Sequence, residues 1–294
     1  MKLNRVKSEK ERYQMFFSGS EVPQWFLHLK TCGVTNFLFS YYYADTKGYS
    51  QAERVLMNAP KGSKFMCDSG AYTIRKLVEK DIQWYVDYIE RYVAFLRKYK
   101  DYIFSAVELD VESIVGVDVV NKWRKKYFVP LEKETGIKII YVWHDDFGMS
   151  GWEEMCRKYK YVGLSNDGYS YGEWNRFFNV AKKYGTRIHG FAITFKRTLK
   201  KFSFYTSDSV SWLIGKRFGE YYMHKCSRDW RMDFRWKHQI GKYSVYLKRE
   251  AGFNYNKFLQ QDSLEVNRIS IWSMLQLEKS INKHWGHKAY WAVE

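Results

Sequence analysis

FMCDSGAY, residues 65–72, carries a short apolar run directly into an aspartate and a Ser-Gly turn. A buried strand ending this way sets a carboxylate at the rim of a sheet, where strand ends and loops carry chemistry. The pattern recurs outward from it. VTNFLFSYY (34–42), KFMCD (64–68), YIFSAVELD (102–110), IKIIYVWH (137–144), YVGLS (161–165), RIHGFAIT (187–194) and FSFYTSD (202–208) are apolar runs rich in β-branched and aromatic residues. Such runs suit strands buried on both faces of a parallel sheet. Helical periodicity fills the gaps: Ile82, Tyr85, Val86, Ile89, Val93 and Leu96 define one apolar face from about Asp81 to Lys98. Ser150 with Glu153 gives a capping-box signal, and Gly136 and Gly185 stand where helices should stop. Seven strands are visible, and a short eighth at 219–223 would close a ring. The economical reading is α/β, a (β/α)8 TIM-type barrel over residues 1–222. A basic, aromatic-rich C-terminal extension, 223–294, packs on it. A doubly wound open sheet is the alternative.

The length of 294 residues suits such a barrel, which takes about 250. Hydrophobic residues make up 46% and aromatics 19%, with three prolines and no low-complexity tract, so a continuous core is expected and a disordered linker is not. Lys and Arg outnumber Asp and Glu by 49 to 32, a net charge of +17 that points to a polyanionic partner. Cys32, Cys67, Cys156 and Cys226 are widely spaced without CxxC, which suits reduced thiols. The N-terminus is charged and lacks a signal-peptide apolar region, and no stretch is long and apolar enough for a membrane span. A soluble, cytoplasmic protein with no membrane partner is expected.

Catalytic groups of a barrel come from the C-terminal ends of several strands. Asp68, Asp110, His144, the Gly163-Leu164-Ser165 turn, His189-Gly190 and Asp208 all occupy that position in their segments. Taken singly, each has a plain alternative as a turn residue or helix cap. Jointly they are predicted to converge on one rim.

FMCDSGAY, AVELDV, YVGLSNDG, RIHGFAIT and FYTSDSVSW, in this order and spacing, resemble the motifs of the tRNA-guanine transglycosylase superfamily, whose barrel enzymes exchange guanine for a 7-deazapurine. The DSGAY, HGF and SDSVSW forms are more similar to its DNA-modifying branch, the DNA-guanine transglycosylases of bacterial gene clusters and phages. The resemblance covers roughly residues 34–220. It implies exchange of guanine in DNA for a free 7-deazaguanine base, without a cofactor. Asp208 would be the nucleophile that holds C1′ covalently, and Asp68 the acid and base that protonates the departing base and deprotonates the incoming one. Asp110 would accept from the purine N1–H and exocyclic amine. Ser69, Gly70, His144, Gly163, Leu164, His189 and Gly190 would line the base site, with the glycine turn admitting the purine closely.

Two departures stand out. The tRNA enzymes carry glutamine where this strand closes with Trp143-His144, which leaves the role of His144 open. They also carry a CxCxxC zinc cluster; here His224 and Cys226 are the nearest His/Cys pair, too few for a tetrahedral site, so no metal is expected. His144, Asp145 and Asp146 are consecutive and point in different directions.

From Met223 to Arg249 eight basic residues meet two acidic ones, interleaved with Trp230, Phe234, Trp236, Tyr243 and Tyr246. Arg228, Arg231, Arg235 and Lys237 are candidates for phosphate contacts, and the aromatics for stacking on bases; packing on the barrel is the plain alternative. A final helix from about Ser263 to Lys283, capped by Asp262 and Glu265, should cover the barrel. A base inside a duplex is hidden from a barrel pocket, so base flipping or a single-stranded substrate is required. The alternatives are a tRNA transglycosylase and a non-catalytic nucleic-acid-binding barrel; a glycosidase on free nucleosides would leave the charge unexplained. Accessory proteins are possible partners.

Overall fold

Each of the seven apolar runs forms a parallel strand, and an eighth strand near the N-terminus closes the ring. The computed structural model describes residues 12–47, 49–77, 80–165, 168–213, 215, 219–223 and 231–292. The barrel runs in chain order through β1 (Gln14–Ser18), β2 (Asn36–Ser40), β3 (Lys64–Asp68), β4 (Ile103–Val107), β5 (Lys138–Val142), β6 (Tyr161–Ser165), β7 (Arg187–Phe191) and β8 (Thr206–Ser209). β8 pairs back onto β1, with Asp208 opposite Phe16. That ladder excludes the open doubly wound sheet.

The expected eighth strand at 219–223 is corrected. Glu220–Tyr222 (β9) pairs antiparallel with Arg231–Asp233 (β10) in a separate two-stranded sheet. The ring is completed instead by QMFFS at Gln14–Ser18, whose Met15, Phe16 and Phe17 are buried. This run is only five residues long and follows a heavily charged stretch, which hides its apolar signal.

The barrel interior is filled. Phe16 on β1 and Phe104 on β4 stand three strands apart, yet their rings stack at 5.9 Å, a contact that only the interior permits. Lys64 on β3 donates to Gln14 Oε1 on β1 at 2.7 Å, so the bottom of the barrel is polar but paired. On the outer face Phe37 meets Phe26 and Phe39 meets Phe95, closing the strand–helix layer. Burying each such ring stabilises by about 1.5–3 kcal/mol.

Helix ends follow their caps. Asp81 accepts from Trp84 N at 2.8 Å and starts the helix Ile82–Lys98, while Gly136 and Gly185 end helices in the left-handed region. The capping box predicted at Ser150 is not formed. A 3-10 turn, Asp145–Phe147, leads straight into the helix Gly148–Lys158, so Ser150 lies inside it with no extended cap position. The capping box occurs at Ser170 and Glu173.

The last long helix, Ser263–Trp285, is capped by Asp262, which accepts from Leu264 N and Glu265 N. It packs on β1 and between the helices Pro23–Thr31 and Lys196–Lys201. That is the place of a barrel's eighth helix, reached only after an excursion following β8. Glu278 Oε1 accepts from Met15 N and from Asn36 Nδ2, both at 3.3 Å, and Asn282 Nδ2 donates to Tyr13 O. Tyr290 and Trp291 then bond the carbonyls of Thr186 and Ser203, ahead of β7 and β8, so the tail seals the N-terminal end. The excursion has its own small core around Tyr221, Leu247, Phe258 and Trp272. Among the described residues no helix is long and apolar enough to cross a membrane.

Candidate active site

Four neighbouring strands, β8, β1, β2 and β3, carry Asp208, Ser18, Ser40 and Asp68 at or one residue before their last position. Parallel pairing brings all four to the same mouth, with Ser40 in register beside Asp68. Ser18 Oγ donates to Asp208 Oδ2 at 3.2 Å. Ala192 N donates to Asp208 Oδ1 at 3.1 Å from a left-handed backbone (φ +56°), a strained conformation placed at the site itself. His189 Nε2 lies 3.3 Å from the same oxygen, outside hydrogen-bond alignment, while its Nδ1 meets Thr206 Oγ1 at 2.7 Å. Asp208 is thus held by two hydrogen bonds with His189 close by, and its side chain keeps 16% of its surface open.

Asp68 is fixed by its own turn. Gly70 N donates to Asp68 Oδ2 at 3.0 Å with Gly70 at φ +86°, and a Cβ there would stand 2.4 Å from Tyr42 Cβ. Only glycine fits. Burial pushes the Asp68 carboxyl up to about 6, against the Gly70 N–H that lowers it; the charge of Asp208 adds to the rise, and the Ser40 hydroxyl opposes it.

Asp110 and His144 extend the mouth across β4 and β5. Arg75, just after the DSGAY turn, donates from Nη2 to Asp110 Oδ2 at 2.5 Å; His144 Nε2 is 3.5 Å from that oxygen and 3.3 Å from Glu112 Oε2. Burial pushes Asp110 up to about 7, with Arg75 and His144 pulling down and Glu112 and Asp68 pushing up. Burial works against a charged His144, but the neighbouring carboxylates of Glu112 and then Asp110 raise it above its ordinary value. Behind them, buried Arg124 bonds Glu108 through Nε (2.7 Å) and Nη2 (2.6 Å), and Glu112 Oε1 at 2.8 Å. This pair of acids around one guanidinium braces the loop that carries Asp110.

Asp68, Asp110, His144 and Asp208 therefore gather as the sequence predicts, with His189 beneath Asp208. Ser69 is wholly buried, its carbonyl taken by the Tyr88 hydroxyl at 2.6 Å. Gly163 and Gly190 have packing reasons of their own. A Cβ on Gly163 would strike Phe191 and Ile140, and one on Gly190 would strike Ile193 and Phe204, so neighbouring side chains fill the space beside each glycine. Leu164 is buried in the ladder opposite Gly190. Arg228 lies outside the described residues, as do His224 and Cys226. Arg231 is in β10, Arg235 begins the following 3-10 segment, and Lys237 Nζ donates to Leu259 O at 3.0 Å. Among the described residues no group of His, Cys, Asp and Glu is arranged to hold a metal ion.

Ser18, Ser40, Arg75, Glu112, Arg124 and the Ala192 N–H were not anticipated. Two had a readable signal. ELDVE places acids at alternate positions 108, 110 and 112, and Arg124 shares helical spacing with buried Val120, Trp123 and Phe128. A cation on an apolar stripe beside such acids implies a buried pair.

Chemically, the mouth offers an anchored, partly open carboxylate beside a second one that exchanges a proton near neutrality, flanked by an Arg–Asp–His–Glu array. This is a (β/α)8 barrel with a carboxylate site at the C-terminal ends of its strands. No family model and no curated protein sequence matches the chain. Among solved structures it is similar to an enolase protein from Sargasso Sea environmental sequencing, with 11% identity, a TM-score of 0.44, and coverage of 68% of this chain and 55% of that one. It is also similar to the tryptophan synthase alpha chain of Legionella pneumophila subsp. pneumophila (8% identity, TM-score 0.47, 92% of each chain). A dihydrodipicolinate synthase family protein from Coccidioides immitis gives 8% identity, a TM-score of 0.42, and coverage of 96% of this chain and 97% of that one.

Proposed function

We propose that the protein is a DNA base-exchange enzyme, a glycosyltransferase that replaces guanine with a 7-deazaguanine base through a covalent aspartyl intermediate at C1′. The observation that carries this reading is the pairing of Asp208 and Asp68 at one mouth. Asp208 is anchored yet partly open, and Asp68 is raised to about 6 by burial and by the Asp208 charge. Asp208 attacks C1′ as the bond to guanine N9 breaks, and Asp68 gives its proton to the departing purine. The purine leaves neutral. The incoming base loses its N9 proton to Asp68, its N9 attacks C1′, and Asp208 is released unchanged. Asp110 in its ionised form, which Arg75 favours against burial, accepts from the N–H edge of the base, and His144 presents an N–H beside it. The excess of 49 basic over 32 acidic residues favours a polymeric substrate over a free nucleoside.

Nucleoside mass spectrometry on digested DNA and, separately, tRNA tests this after incubation with candidate 7-deazaguanines. A deazaguanine nucleoside in DNA with wild type and none with Asp208→Ala is expected. Its appearance in tRNA alone would replace the substrate, and no product in either polymer, with DNA binding intact, would favour an accessory barrel.

A further inference from the structure

We infer that Phe195, Lys196 and Arg197, at the head of the helix Lys196–Lys201, form the track that holds the DNA strand beside Asp208, an assignment that rests on the base-exchange reading. The geometry begins at the nucleophile: Ala192, whose N–H holds Asp208, is three residues from Phe195, whose side chain is exposed. Phe195 opens the helix KRTLKK, in which Leu199 faces the core and Lys196, Arg197, Lys200 and Lys201 do not. Six residues rise about 9 Å away from the mouth, and Trp285 Nε1 donates to Leu199 O at 2.8 Å at the far end, so Lys196 and Arg197 lie by the mouth while Lys200 and Lys201 lie toward the N-terminal end of the barrel. None of them pairs with a carboxylate among the described residues; Arg197 and Lys201 instead stand over the Tyr171 ring at 5.1 and 4.1 Å.

The rest of the barrel makes this concentration distinctive. Residues 168–207 hold eight basic residues and a single acid, Glu173, whereas residues 80–159 hold thirteen basic and fourteen acidic ones. On that other flank basic side chains are neutralised, as in Arg97–Glu134, Lys158–Glu154 and Arg124–Glu108. Cations crowded into one short helix without a carboxylate among the described residues repel one another, and a phosphate backbone relieves that repulsion by releasing its counterions. An exposed phenyl ring at the head of the track supplies a face on which a base next to the reacting nucleotide stacks.

The test is single-stranded DNA binding by fluorescence anisotropy across a salt series, with exchange measured on the same preparations. Replacing Lys196 and Arg197 by Gln should flatten the slope of log Kobs against log salt by about 1.4, at roughly 0.7 for each phosphate no longer neutralised. Phe195→Ala should weaken binding about tenfold and leave the slope unchanged. Lys122→Gln with Lys125→Gln, on the balanced flank, should change neither. Circular dichroism checks folding, and the single charge reversal Arg197→Glu gives the same test with one substitution. An unchanged slope in the two-fold variant and in Arg197→Glu overturns the track even if exchange is seen. A steep slope that the variants flatten, without exchange by wild type, keeps the track and removes the base-exchange reading.

Discussion

Asp110 is drawn toward ionisation chiefly by Arg75, with His144 second, and this gives the site a measurable pH signature. Burial holds its carboxyl up at about 7 even with the Arg75 guanidinium 2.5 Å away. The other charges facing it are His144, Glu112 and Asp68, the last pushed up to about 6. Arg75→Gln removes the largest lowering influence, so Asp110 rises further and is protonated at neutral pH. On the proposed reading an ionised Asp110 accepts from the base, so kcat/KM should fall on the acid side at a pH roughly one unit or more higher than in wild type. Arg75→Lys should restore part of the shift. A pH–rate profile whose acid limb does not move would mean that Arg75 acts on Asp110 only as a spacer. His144 is cationic over a wider range than an ordinary imidazole for the converse reason, since carboxylates face it from both Glu112 and Asp110.

At the scale of elements, the closing helix Ser263–Trp285 carries a buried acid where it crosses β1 and β2. Burial pushes Glu278 from 4.5 up to about 7, against Met15 N and Lys64, which pull it down. Between those two pH values the folded protein holds a proton that the unfolded chain releases, so stability declines as pH rises through that window. Glu278→Gln keeps an acceptor for Met15 N and Asn36 Nδ2 and cannot ionise. It should match wild type near pH 4.5 and exceed it at pH 8 by roughly 1–3 kcal/mol in denaturant unfolding; a loss at both pH values would contradict the assignment. The same helix shows what the sequence could and could not reveal. Its span and Asp262 cap are local signals and were legible, as were seven strands with Asp68, Asp110, His144 and Asp208 at or just beyond their ends. Its place as the eighth helix was not legible, because that depends on the β8–β1 closure and on an excursion of dozens of residues. β1 was missed because five residues give too little periodicity beside a charged run. Ser18, Ser40 and Ala192 were missed because small polar groups and backbone N–H acquire roles only through the pairing of strands distant in sequence.

For the whole molecule, closure of the barrel and polarity of charge act together. The ring brings Asp208 and Asp68 to one mouth from segments 140 residues apart, and residues 168–207, with eight basic residues to one acidic, flank β7 and β8, the strands of His189 and Asp208. On the base-exchange reading we propose, a polyanion drawn to the head of the helix Lys196–Lys201 meets Asp208 on the same side of the barrel. The most direct test is to incubate the protein with guanine-containing DNA, quench in acid, separate covalent protein–DNA species on a denaturing gel, and map the modified peptide by mass spectrometry. A deoxyribose-linked adduct on Asp208, absent from Asp208→Asn and discharged by added 7-deazaguanine, is the expected result. An adduct on Asp68, or base exchange that survives Asp208→Asn, would contradict it.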